Sequence, residues 1–239
     1  MVESRASFAT SCQNPAAVVV EYAEVPGALC VRVMASGRVH SLGLACRPAE
    51  VGRELAELHA LFEDYPSAEI RREMRARLAT LYDWLIAPLS GWLPSASPLV
   101  ILPSEALAGV PFAALFDRRE ERFLLEDRLV VLVTALQMTG APPTIGSLWP
   151  VDDECTSRLF AGFHDRLERG DPPDVALREA QLYLADSGDP ELASPGTWAA
   201  FALSGESFPW GTEFFKSAPA GLSTSERRWS WSSRQRRLP

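Results

Sequence analysis

Two short, unbroken apolar runs constrain the fold of this chain more than any other feature: "LVIL" at Leu99–Leu102 and "LVVLV" at Leu129–Val133. A strand with one wetted face alternates apolar and polar residues, whereas a run with no polar position has both faces covered. Strands of that kind belong to parallel sheets flanked by helices. Thr144–Leu148 is a third candidate strand, and "TWAAFAL" at Thr197–Leu203 reads as a last one. Around them run segments of helical period. Ile70, Met74, Leu78, Leu81 and Leu85 fall on one face, with Ser67 placed to cap the start and Pro88 to end it. Val51, Leu55, Leu58 and Phe62 form a similar stripe. Two more helices are expected, one from about Asp153 to Arg169 with a stop at Gly170, one from Asp171-Pro172 to before Gly188. Strands alternating with helices predict an α/β fold.

Ahead of this core, 17–24, 28–35 and 38–45 are rich in valine and leucine. Pro26-Gly27 and Ser36-Gly37 punctuate them, which predicts a small antiparallel meander. The 239 residues divide accordingly: a disordered 1–16, a meander with two helices over 17–94, an α/β core over 95–206, and a disordered basic tail over 207–239. No apolar run reaches the roughly 18 residues that a membrane helix needs. The N-terminus lacks the basic start and apolar core of a secretory signal. Cys12, Cys30, Cys46 and Cys155 show no CxxC pair and no metal-ligand spacing, so reduced thiols in a cytoplasmic protein are expected, with no cofactor. A net charge of −8 argues against general nucleic-acid binding. The exception is "ERRWSWSSRQRRLP" at Glu226–Pro239, with five arginines, one glutamate and two tryptophans. Arginine with aromatics can hold single-stranded nucleic acid, but the stretch has no apolar period and reads as a tail.

Side chains able to do chemistry are few. His59 and His164 lie in amphipathic helices and His40 in the meander, positions typical of surface or boundary residues. Cys155 has the best position among the thiols, because a helix N-terminus lowers a thiol pKa. Leu159 and Phe163 at helical spacing argue instead for burial as a small hydrophobe. No GxSxG, GxGxxG, phosphate-loop or HExxH motif is present. What remains is the strand-to-helix turn "IGSLWPVDDECTSRL", where Trp149-Pro150 meets Asp152-Asp153. Open α/β sheets bind ligands at such turns. The aspartates either cap the helix that follows or line a pocket at the end of the strand and meet a cation.

Several stretches in order resemble CHAT domains, the caspase-like domains often found beside tetratricopeptide repeats in bacteria. They are "LYDWLIAPL", "LVILPSEALAGVPFAAL", "TGAPPTIGSLWPVDDECTSRLFAGFHDRL", "DVALREAQL" and "GTWAAFALSGE", with "VVVEYAEVPGALCVRVMASGRVHSLGL" resembling the meander before the core. The resemblance implies a caspase-like, mostly parallel sheet. It also implies a cysteine-peptidase ancestry, a protein or peptide partner (tetratricopeptide-repeat proteins among them), and a pocket formed by Trp149, Asp152 and Asp153 for a basic side chain. The chain departs from the family at one place. A middle section bearing a His-Gly histidine and a Ser-Ala-Cys cysteine should separate "FLLEDRLVVLV" from "QMTGAPPTIGSLW", yet only Arg128–Pro142 lies there. One βαβ unit takes about 30 residues or more, so the missing strands do not fit. Neither dipeptide context occurs anywhere, so no catalytic residue carries over. The expectation is a degenerate domain without the Cys–His dyad, truncated at the centre of its sheet. Leu129–Val133 would run into a short helix remnant at Ala135–Thr139, leaving strands short of neighbours. The alternative is an active cysteine-type hydrolase with an improvised nucleophile such as Cys155.

Overall fold

The computed structural model describes residues 17–62, 66–133 and 144–204. The expected tails at 1–16 and 207–239, and the helix remnant at Ala135–Thr139, lie outside these residues. The meander is present as β1 (Val18–Val25), β2 (Ala28–Ala35) and β3 (Arg38–Gly43). Gly27 and Gly37 both sit at φ +73, where any side chain would be strained, which is why each turn carries a glycine.

The meander is continuous with the core. β1 pairs in parallel with β4 (Leu99–Leu102), Val18 opposite Leu99 through Glu21 opposite Leu102. With β7 (Val130–Leu132), β8 (Thr144–Ser147) and β9 (Phe201–Ser204), one seven-stranded sheet results, ordered β3-β2-β1-β4-β7-β9-β8. Contacts β1–β4, β4–β7 and β7–β9 are parallel, and five of the seven strands point the same way. The apolar runs occupy the places their composition demands: Leu99, Val100, Ile101, Val131 and Leu132 are all buried. Phe116–Asp117 (β5) and Arg122–Phe123 (β6) form a separate hairpin.

Helices α1 (Pro48–Phe62) and α2 (Ala68–Leu85) turn their apolar stripes inward, burying Val51, Leu55 and Leu58 on one and Met74, Leu78, Leu81 and Leu85 on the other. Ser67 caps α2, its hydroxyl accepting from the Ile70 N–H at 3.2 Å. Arg77 on α2 ties the pair together through Glu54 at 3.2 Å and Glu57 on α1, and also meets Glu73 on its own helix at 2.9 Å. A one-turn α3 (Leu124–Asp127) leads to β7. Then follow α4 (Asp153–Glu168), α5 (Pro173–Ala185) and the short α6 (Pro195–Trp198). Gly170 stops α4 at φ +96: its N–H reaches the Leu167 carbonyl and that of Asp171 reaches Arg166, closing a Schellman motif.

Two expectations change. Thr197–Leu203 is not one strand, because Ser194 caps a helical turn through the Gly196 N–H and Trp198 is swallowed by the core at 0% exposure. Only Phe201 onward is extended. Thr144–Ser147 runs antiparallel to β9 at the sheet edge rather than as a further parallel strand.

The ladders are unequal along the sheet. β1 and β2 share seven register pairs and β2 and β3 six, and among the described residues β7 meets β9 through Leu132–Ser204. At this seam a side chain does part of a strand's work. The Leu148 N–H bonds the Ala200 carbonyl from the β8 side, so the Phe201 carbonyl, one residue on, faces β7. It accepts from the buried amide of Gln181 on α5 at 2.9 Å, and the same nitrogen reaches the Trp198 carbonyl at 3.0 Å.

Candidate functional site

The turn after β8 is where the chain gathers its unusual side chains. Trp149, Pro150 and Val151 lead from the strand into α4, and Asp152 is the cap. One Asp152 carboxylate oxygen accepts from the Glu154 N–H at 2.8 Å and the Cys155 N–H at 3.2 Å. These are donors that a helix start leaves unpaired, and the negative charge suits that end of the helix. Capping does not exhaust Asp152, whose exposed side chain also lines a cleft of about 240 Å³. Asp153 is the first residue of α4 and is exposed. Adjacent aspartates thus hold different positions: one caps and borders the cleft, the other points into solvent as part of the first turn.

The cleft lies between the ends of α1 and α2, the start of α4, and the 189–197 stretch. Phe62, Met74, Pro150, Val151 and Cys155 supply apolar wall, and Asp152 and Glu191 supply carboxylates. Glu191 carried no sequence signal. Its position depends on a bonded loop: Asp189 accepts from the Glu191 N–H at 2.9 Å, and the Glu191 carbonyl accepts from the Thr197 hydroxyl at 2.8 Å. Ser194 and Gly196 complete the wall. Among the described residues neither a histidine nor an arginine lines this space.

Cys155 is 5% exposed, as its apolar partners at helical spacing implied. Its thiol is held above the ordinary range first by burial, then by the charges of Asp152 and Glu191, with the Thr197 hydroxyl acting in the opposite direction. The helix N-terminus, which by itself favours a thiolate, is outweighed by burial and by the negative charge of its own cap. Among the described residues no group of three or more His, Cys, Asp or Glu side chains is arranged to hold a metal ion. No helix among them is long and apolar enough to cross a membrane.

Trp149 stands behind the cleft rather than on its surface. It is 8% exposed, its ring stacks on Phe62 at 4.6 Å between centroids and 27°, and its indole N–H donates to the Gly196 carbonyl at 2.8 Å. It therefore fixes two cleft residues, Phe62 and Gly196. His59 joins the same cluster, 5.4 Å from Trp149 and 5.7 Å from Phe62 between ring centroids. Gly196 has no freedom to be larger, because a Cβ there would lie 2.8 Å from Phe62 Cδ1. The other two histidines are elsewhere: His40 stacks on Trp92 at 5.0 Å, and His164 is exposed on α4.

The family model of the CHAT domain matches this chain over residues 75–137 and 127–206. Together the segments run from 75 to 206, more than half of the 239 residues, and the chain belongs to the CHAT domain family. The fold accords with that caspase-like class: an α/β sheet flanked by helices with antiparallel strands ahead of it. No curated protein matches the chain.

Proposed function

We propose that this protein is a CHAT-family domain without peptidase activity, descended from caspase-like peptidases and working as a binding or regulatory module for a protein or peptide partner. The observation that carries the reading is the state of Cys155. It is the one cysteine lining the cleft, and burial and two carboxylates hold it as the thiol, the weaker nucleophile. Among the described residues no imidazole lines the cleft beside it to take its proton. The two-part family match supports the same reading, since its segments meet and overlap over 127–137, where the histidine- and cysteine-bearing section is expected and only fifteen residues bridge Arg128 to Pro142.

In this reading the cleft takes a basic side chain of the partner. Asp152 and Glu191 give it negative charge, and Phe62 and Met74 give it a floor for the aliphatic stem. Tetratricopeptide-repeat proteins are a partner class to try first. The competing reading is a hydrolase that uses Cys155, and one experiment separates them. Purified protein is incubated with an activity-based cysteine-peptidase probe bearing arginine. No cysteine should be labelled; labelling of Cys155 that is lost in Cys155→Ala overturns the proposal and establishes the hydrolase.

A further inference from the structure

The ring cluster behind the cleft contains one polar atom with no visible reason to be there. His59 Nε2 is buried and has no hydrogen-bond partner. A neutral imidazole tolerates this at Nε2 if that nitrogen carries the lone pair, but an imidazolium carries a proton on both nitrogens and needs an acceptor or water at each. Among the described residues no counter-charge is bonded to the ring, and Glu105, on the 105–107 turn that also packs on α1, is exposed. On α1 itself, Glu54 and Glu57 are drawn to Arg77 on the side facing α2, and Arg53 is exposed. α6, which packs on α1 and supplies Gly196, contains no titratable side chain. Across the cleft Asp152 spends one oxygen on the α4 backbone. The imidazole is held below its ordinary range by burial alone.

We propose that His59 is a proton-operated latch on the aromatic wall of the cleft: neutral, it packs with Phe62 and Trp149 and keeps the wall shut; protonated, it leaves the stack and the wall loosens. The geometry gives the route. His59 cannot take a proton at Nε2 in place, so the ring turns toward water. Phe62 then loses its neighbour on one side while still touching Trp149 at 4.6 Å on the other. Phe62 is both a cleft residue and the side chain pressed against Gly196, so its displacement enlarges the entrance above Asp152 and Cys155. Trp149 remains tied to the Gly196 carbonyl, which confines the movement to the Phe62 side. The latch holds whether or not the cleft takes a peptide, and its failure is separate from failure of the binding reading.

The test reads the cleft through its own thiol. The full chain is treated with 4,4′-dithiodipyridine between about pH 7.5 and about pH 5, the range in which histidine titrates. Modification of Cys155 is followed by mass spectrometry as a ratio to Cys30, which lies on β2. Taking the ratio removes the common pH dependence of the reagent. In the wild type the ratio should rise several-fold on acidification, and in His59→Phe, which keeps a ring in the stack, it should stay flat. A flat wild-type ratio, or an equal rise in His59→Phe, overturns the proposal. Should that variant fail to fold, the imidazole proton resonances of wild-type His59 decide the matter. They should shift with the same midpoint as the ratio, and an unrelated midpoint overturns it.

Discussion

The two ends of the sheet are built differently. On the meander side, β1, β2 and β3 exchange long ladders, and β1 passes four register pairs to β4. On the other side, β9 and β8 form a four-pair unit, and among the described residues Leu132–Ser204 joins it to β7. The first region is held by backbone against backbone. The second is held mainly from its face, by α4, α5 and α6 closing over Trp198, Phe201 and Leu203. Helices cover the strands on this side, and the cleft lies there, against the start of α4 and the turn of α6.

Mutations sort along this contrast. The largest effect is expected from Trp198→Ala, which removes a fully buried ring packed edge-on to Phe123 at 5.1 Å. A loss of roughly 3–5 kcal/mol in denaturant unfolding follows from the cavity left behind. Hydrogen exchange should show protection falling most in β9 and α5; an equal fall in β1 and β2 would break the contrast. Gln181→Leu comes next. It leaves the Phe201 and Trp198 carbonyls without their side-chain donor, at about 1–3 kcal/mol for each group stranded away from water. Its amide-exchange signature should be confined to the seam. Asp152→Ala should cost about 1 kcal/mol through the lost cap, while Asp153→Ala stays within about 0.5 kcal/mol. Equal losses at the two positions would refute their division of labour.

The smallest effect is a pH slope. His59 in the folded chain sits below its ordinary range, so the unfolded chain takes up the proton first as pH falls. Its contribution to stability is thus complete above about pH 6.5, the ordinary imidazole value, and is lost as pH falls from there toward the lower folded value. Thermal melts from pH 8 to 5 should decline less in His59→Phe than in the wild type. The same decline in both would assign the slope to other groups.

Much of this was legible in the residues. The unbroken runs at Leu99–Leu102 and Leu129–Val133 announced covered strands, because only a strand with two dry faces can omit polar positions. The stripes of α1 and α2, the Ser67 cap and the Gly170 stop were equally direct, since each depends on neighbours within a turn or two. That an aspartate of the pair could cap α4 was readable for the same reason, but that Asp152 is the one that does so was not. "TWAAFAL" misled, because its apolar character fits a strand and a buried turn alike, and Trp198 is drawn into the core by contacts distant in sequence.

Local rules therefore determined the elements and their ends, and the ordered segments around "GSLWPVDD" and "TWAAF" determined the family. What joins those elements was left to the tertiary structure. Pairing of β1 with β4, the Leu132–Ser204 contact, the Gln181 amide in a strand's place and Glu191 across from Asp152 all link residues far apart in sequence. Periodicity reports which face of an element is dry but not what dries it. Cys155 is held as a thiol first because the core covers it, and one of the charges that adds to this stands 36 residues further along the chain, at Glu191.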